Sequence, residues 1–109
     1  MMQSSYKLRY IQLFSKDLEE IVEYISTKLN NPMVANNLID RIEKAIFERL
    51  GNAEAFEIYK SAKERRYQYY RIYVGNFVIY YVVIDDEDIE KIMEVRRILY
   101  NKHNHGDIL

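Results

Sequence analysis

The stretch RYQYYRIYVGNFVIYYVVI, residues 66–84, decides the fold class of this sequence. β-Branched and aromatic residues, which favour strands, dominate on both sides of Gly75-Asn76. A Gly-Asn pair between two such runs is a two-residue hairpin signal. We therefore predict one strand over residues 66–74 and a second over residues 77–84. Because residues 77–84 are apolar on both faces, the second strand is predicted to be central in the sheet.

The first of these strands carries an unusual set of side chains. Successive strand residues point to opposite faces, so Tyr67, Tyr69, Arg71 and Tyr73 fall on one face of the sheet. The chain has 11 Tyr, 4 Phe and no Trp. Tyrosine combines an apolar ring with a polar tip, which suits half-buried surfaces and interfaces. This face is therefore a candidate binding surface.

Upstream of the hairpin, the sequence first predicts one strand and one helix. Residues 6–13 begin with a clear alternation of apolar and basic side chains, which is typical of a strand. Apolar residues then recur at helical spacing from Leu18 to Leu29, with glutamates on the other side. Ser15 is the predicted N-cap of this helix, and Asp17 lies in its predicted first turn.

A second helix is predicted directly after the first. Pro32 suits the first helical position, Asn31 suits the cap before it, and Gly51 is a natural stop. The very short connection predicts an antiparallel helical hairpin. Residues 52–64 have no strong period and are predicted to form a loop.

Downstream of the strand hairpin, the sequence predicts an acidic turn, a last strand and a tail. These cover residues 85–88, residues 91–99 and residues 100–109, the tail being polar with one helical turn. The element order predicts an α+β fold and a single domain over residues 1–109. Both helices would pack on one face of a four-stranded sheet that includes a three-stranded antiparallel meander. The other sheet face would be open.

Composition excludes several classes of protein. The 109 residues contain no Cys, which excludes a disulfide scaffold and thiolate zinc sites, and the net charge of −1 excludes a polybasic chain. There is no apolar stretch of membrane-spanning length and no signal-peptide pattern at the start, so we expect a cytoplasmic protein without a membrane partner. The tail histidines His103 and His105 lack metal-ligand spacing and a third ligand nearby, so neither a metal nor a cofactor is expected.

Two basic segments, residues 60–84 and residues 91–109, flank the acidic turn. If their strands pair, their cations converge on one sheet face. RNA cleavage by attack of a 2′-hydroxyl needs a base, an acid and cations that stabilise the phosphorane, and Arg, Lys, Tyr and His supply all three. An ordinary surface explains the same residues, because exposed strands commonly carry solubilising cations and β-favouring tyrosines. Both interpretations stay open on composition and spacing alone.

Four runs of the sequence, taken in order, resemble the RelE/ParE superfamily, the toxins of type II toxin–antitoxin modules. They are YKLRY at residues 6–10 followed by Asp17-Leu18, DRIEKAI at residues 40–46, YRIYVGNFVIYY at residues 70–81 and VRRILYNK at residues 95–102. The resemblance implies a cytosolic toxin neutralised by a small cognate antitoxin in a hetero-oligomeric complex. One group of the superfamily cuts messenger RNA in the ribosomal A site, and another poisons DNA gyrase without known chemistry.

The resemblance to the mRNA-cutting members also implies site residues. Arg71 and Arg97 would hold the phosphate, and Tyr100 or His103 would act as acid or base. Those members have an arginine early in the third strand where this chain has Val78, so Arg71 or Arg66 would have to replace it. We expect a ribosome-dependent endoribonuclease; the alternatives are a gyrase poison and a degenerate relative that only binds its antitoxin. The implied RNA-binding residues are Lys60, Lys63, Arg65, Arg66 and Lys102.

Overall fold

The computed structural model describes residues 6–60, 65–85, 90–102 and 105–109. Its elements follow the predicted order, with one additional strand. Of the predicted acidic turn, only Asp85 lies within the described residues. In chain order the elements are β1 (Lys7–Tyr10), α1 (Gln12–Glu23) with a π-helical extension (Tyr24–Lys28), α2 (Pro32–Leu50), β2 (Ile58–Tyr59), β3 (Tyr69–Val74), β4 (Phe77–Ile84), β5 (Ile92–Tyr100) and α3 (His105–Ile108).

The sheet has five strands in the order β1-β5-β4-β3-β2, so the prediction of four strands is wrong. β1 runs parallel to β5, whereas the other three pairs are antiparallel, which makes the sheet mixed. The additional strand, β2, has two residues, too few to show a period of two along the sequence. The predicted hairpin is confirmed: β3 and β4 meet at Gly75-Asn76, and the φ of 57° at Gly75 is one that glycine adopts without steric cost.

The helical hairpin is also confirmed, and its second helix begins as predicted. Asn31 accepts a hydrogen bond at 3.3 Å from the N–H of Val34, and Pro32 occupies the first turn of α2. Asn30, with a φ of 51°, turns the chain between the two helices in the left-handed region that asparagine tolerates.

The start of α1 differs from the prediction. Ser15 does not cap the helix, because α1 already begins at Gln12, and no described side chain caps it. The N–H of Ile11 donates to the carbonyl oxygen of Val95 on β5 at 3.1 Å. This bond keeps the chain on the sheet up to residue 11, so the helix starts directly from the sheet edge.

The main core lies between the helical hairpin and the inner face of the sheet. Tyr81, on β4, is fully buried there; its hydroxyl donates to the carbonyl oxygen of Ala53 at 2.6 Å and accepts from Nη1 of Arg49 at 2.9 Å. These bonds tie the segment after α2 to the sheet. The fully buried aliphatic side chains of this core are Ile42, Ile46, Ile79, Met93, Val95 and Ile98.

The outer face of the sheet, turned away from the helices, is not open at its centre. Tyr80 and Leu99 are buried on this face, in a cluster against which Leu109 packs, and His105 of α3 is buried against Tyr80. The expectation of an open face is therefore wrong for the central strands. The tail lacks an apolar period but covers the sheet through His105 and Leu109, so periodicity alone does not predict this contact.

Candidate functional site

On the outer face, an arginine of β3 lies among tyrosines of β2, β3 and β4. Arg71 lies directly across from Tyr80 in the strand register. Its guanidinium carbon is 5.0 Å from the ring centroid of Tyr59 and 5.9 Å from that of Tyr73, within the range of cation–π contacts. Among the described residues, Arg71 forms no ion pair with a carboxylate. Its positive charge can therefore serve an anionic ligand.

More arginines stack on tyrosines next to this centre. The guanidinium carbons of Arg66 and Arg96 lie 5.4 Å and 5.9 Å from the ring centroid of Tyr67. Arg65 lies 5.1 Å from the ring centroid of Tyr69. We call the set Tyr59, Arg65, Arg66, Tyr67, Arg71 and Tyr73 the arginine–tyrosine strip; its β3 members, Arg71 and Tyr73, occupy alternate positions, as the sequence predicts.

Beside the strip, the buried side chain of His105 forms two hydrogen bonds. Nε2 of His105 lies 2.7 Å from the carbonyl oxygen of Tyr100 and must donate to it, because a carbonyl only accepts. Nδ1 of His105 is hydrogen-bonded to the hydroxyl of Tyr80. Burial raises the pKa of Tyr80 to about 12, so this hydroxyl keeps its proton at neutral pH. The pair anchors the tail on the outer face.

Arg97 lies at the free edge of β5, bound by a carboxylate of α1. Its Nε and Nη2 donate to Asp17 at 2.7 and 2.9 Å, and Asp17 also accepts from the N–H of Ile98 at 3.2 Å. The hydrogen bonds with Asp17 raise the pKa of Arg97 above its ordinary value. Because β1 ends at Tyr10, paired with Val95, the N–H of Ile98 lies beyond the reach of β1, and Asp17 serves as its acceptor instead.

Tyr100 lies on the opposite side of the sheet from Arg71. It pairs with Phe77, which packs against the inner core, and their ring centroids are 5.8 Å apart. A bulge in β5 explains this placement: Tyr81 pairs with Val95 but Tyr80 pairs with Arg97, so Arg96 is an extra residue. The bulge reverses the alternation beyond it, and Tyr100 therefore faces inwards.

The predicted site residues are thus dispersed. Arg71, Arg65 and Arg66 belong to the strip, Arg97 is bound at the strand edge, and Tyr100 faces the helices. Lys60 and Lys102 are exposed, whereas Lys63 and His103 lie outside the described residues. In the strand register Arg71 and Arg97 both pair with Tyr80, one from each side, whereas Tyr100 lies on the opposite face of the sheet.

Four residues at this site, Tyr59, Tyr73, Tyr80 and His105, have no role in the mechanism predicted from the sequence. The alternation along β3 already places Tyr73 beside Arg71, so a local signal for this residue is present in the sequence. Tyr59 and His105 reach the site through long-range contacts for which the sequence holds no local signal.

Two further features complete the outer face. Val78 is buried on β4 at the position where the resemblance leads one to expect an arginine. Glu94 is buried between Arg9 and Arg96, which donate to it at 2.7 Å each. Burial alone would raise the pKa of Glu94, but the hydrogen bonds from both arginines outweigh it and hold this pKa below its ordinary value. Glu94 therefore stays ionised and neutralised, and ties β1 to β5.

An apolar groove of about 1070 Å³ runs between the helical hairpin and the C-terminal half of β5. Asp17 and Arg97 line one part of it, and Arg41 lies over the β3–β4 turn, 3.3 Å from where a Cβ on Gly75 would be. Its apolar lining includes Ile21, Tyr24, Leu29, Val34, Leu38 and Phe77.

In the described ranges, no three His, Asp or Glu side chains are grouped as metal ligands would be. The same ranges contain no helix long and apolar enough to cross a membrane.

The family described as "ParE toxin of type II toxin-antitoxin system, parDE" matches residues 8–98, which contain both long helices, the strands β2, β3 and β4, and most of β1 and β5. No curated protein matches the chain. Membership of this family implies an antitoxin partner. The chain therefore belongs to the ParE toxin family, within the RelE/ParE superfamily of type II toxin–antitoxin toxins.

Proposed function

We propose that this toxin stops translation by cutting messenger RNA on the ribosome and holds the RNA on its outer sheet face. The observation that carries the proposal is Arg71, a half-buried cation among tyrosines without an ion-pair partner in the described part of the chain. A guanidinium in this setting suits a phosphate, because it presents a planar set of donors and stacks on aromatic rings.

Electrostatics supports the same surface. Removing one group that stabilises developing charge commonly costs about 10² to 10³ in rate, so one well-placed arginine carries much of such a reaction. Arg97 is neutralised by Asp17, and Val78 provides no charge. Arg71 is therefore the cation to which we assign the phosphorane charge, with Arg65 and Arg66 as RNA contacts.

A second candidate is the non-enzymatic poisoning of DNA gyrase. Buried Val78 favours it, because an apolar side chain stands where the resemblance to mRNA-cutting members leads one to expect a cation. Such a toxin needs a binding surface but no acid, base or phosphorane cation.

The deciding experiment is a pulse induction of the toxin in growing cells. Transcript ends are followed at nucleotide resolution together with a reporter of DNA damage. New cuts inside translated codons with a silent reporter are the expected result. Intact transcripts with an active reporter would contradict the proposal and assign the toxin to gyrase.

We further propose that the cognate antitoxin occupies the apolar groove. Apolar side chains make up most of the groove lining, and Arg41 adds a positive charge at the end over the β3–β4 turn. A mainly apolar segment with an acidic group therefore fits this groove. A segment of this kind would fold as it binds, as disordered partners do.

The matched pair Leu29→Asp and Phe47→Asp tests the groove. Both side chains are exposed, 57% and 61%, but only Leu29 lines the groove. We expect Leu29→Asp to weaken antitoxin binding at least about tenfold, since a carboxylate would be buried in an apolar contact. Phe47→Asp should leave the affinity unchanged. Equal effects of the two variants, measured by titration calorimetry, would reject the groove as the antitoxin site.

A further inference from the structure

We infer that the arginine–tyrosine strip binds an unpaired, poorly stacked RNA strand directly, without the ribosome. One phosphate would lie at Arg71, and the bases on its two sides would stack on Tyr59 and Tyr73. This inference rests on the proposed function in one respect only, the choice of the outer face as the RNA surface.

The exposure of the tyrosines selects which rings can stack. Tyr73 is 58% exposed and Tyr59 is half-buried, whereas Tyr80 is buried beneath His105. Tyr59 pairs with Tyr69, two positions before Arg71, and Tyr73 lies two positions after it. The rings of Tyr59 and Tyr73 therefore stand on opposite sides of one cation. A dinucleotide step offers the same order of groups: base, phosphate, base.

The distance between Tyr59 and Tyr73 determines which form of nucleic-acid strand can bind. Tyr73 lies four residues beyond Tyr69, the partner of Tyr59, and four residues of a strand span about 13 Å, because each residue advances about 3.3 to 3.4 Å. A stacked nucleic-acid strand advances about 3.4 Å per nucleotide. Neighbouring bases that reach rings on the two sides of Arg71 must therefore leave their mutual stack. Strands that unstack at low cost, such as oligouridine, fit best, and a duplex does not fit.

Charge favours RNA over an acidic peptide as the occupant. The strip carries Arg65, Arg66 and Arg71, and the buried carboxylate of Glu94 on the same face is already neutralised by Arg9 and Arg96. Cations that alternate with aromatic rings are the arrangement used for unpaired nucleic acid, where base stacking adds to phosphate binding. An acidic peptide would use the cations and leave the rings unused.

The test is the fluorescence anisotropy of a labelled eight-residue oligouridine with the full-length toxin alone at low salt. Tyr73→Ala is compared with Tyr24→Ala, since Tyr24 is 56% exposed but lies in the groove. We expect Tyr73→Ala to weaken binding about tenfold and Tyr24→Ala to leave it unchanged. Tyr73→Phe keeps the ring and should bind as the unchanged protein does, which separates stacking from misfolding.

Salt dependence tests the phosphate. Arg71→Ala should lower the slope of log affinity against log salt by about 0.7, the contribution of one phosphate contact on a single strand. Arg41→Ala, which removes a cation on the groove side, should leave the slope unchanged. Equal slopes for both variants would overturn the assignment of the phosphate to Arg71.

The outcomes separate this inference from the proposed function. Specific oligouridine binding with intact transcripts in cells would support the strip and reject the ribonuclease. Transcript cuts with no effect of Tyr73→Ala on binding would reject the strip and keep the ribonuclease. Equal affinity for a duplex of the same length, or tighter binding of oligothymidine DNA, would also overturn the inference.

Discussion

Asp17→Asn is expected to lower the free energy of unfolding by about 3 kcal/mol, because it leaves a largely buried guanidinium without its counter-ion. The side chains of Arg97 and Asp17 are only 17% and 11% exposed, and Asp17 also satisfies the N–H of Ile98 at the free edge of β5. The substitution therefore weakens three hydrogen bonds between α1 and the sheet. Urea unfolding followed by circular dichroism measures the loss.

The control for this prediction is Glu54→Gln. Glu54 and Lys91 form an ion pair at 2.6 Å, as short as the buried one, but their side chains are 37% and 39% exposed. Because solvent screens such an exposed pair, its loss should cost much less than the loss of the buried pair. If Asp17→Asn costs no more than Glu54→Gln, the buried pair is not a structural tie. A loss of toxicity in Arg97→Ala would then be attributed to RNA binding and not to a loss of stability.

Arg71→Ala is expected to lower transcript cleavage about 10²-fold or more while changing stability by no more than about 0.5 kcal/mol. The side chain lies on the surface of the strip. Arg71 is tied to the inner layer through its carbonyl oxygen, which accepts from Arg49 at 3.0 Å, and this bond survives the substitution. Growth arrest on induction and the density of transcript ends measure the effect.

Two comparisons sharpen this result. Arg71→Lys keeps the charge but loses the planar, stacking guanidinium, so partial activity is expected. Arg97→Ala should also reduce toxicity, but together with a loss of stability. Full growth arrest by Arg71→Ala, with unfolding unchanged, would exclude a phosphate-binding role for this residue.

Local patterns were sufficient for much of the architecture. The Gly75-Asn76 signal and the strand-favouring runs beside it predicted the central hairpin, and Asn31 with Pro32 predicted the start of α2. Each of these depends on residues within a few positions of one another. Ser15 failed as a cap because a longer-range contact, the bond between Ile11 and Val95, sets where α1 begins.

The candidate site shows the same division. Alternation along β3 is local, and this pattern by itself places Arg71 between tyrosines on one face of the sheet. Tyr59 reaches that face through β2, and His105 through the tail, and both contacts join residues far apart in the chain.

By itself, then, the sequence determined the α+β class, the hairpins of helices and strands, and the row of Arg71 and its tyrosines, because turn chemistry and periodicity are local properties. Only the tertiary structure decided to which face of the sheet the last side chains of β5 point. The extra residue Arg96 bulges out of β5 and reverses the alternation, so Tyr100 turns to the groove. Arg97, which pairs with Tyr80 just beyond the bulge, is bound by Asp17 of α1. The position of a bulge is set by how two strands pair, and this pairing joins residues that are far apart in the chain.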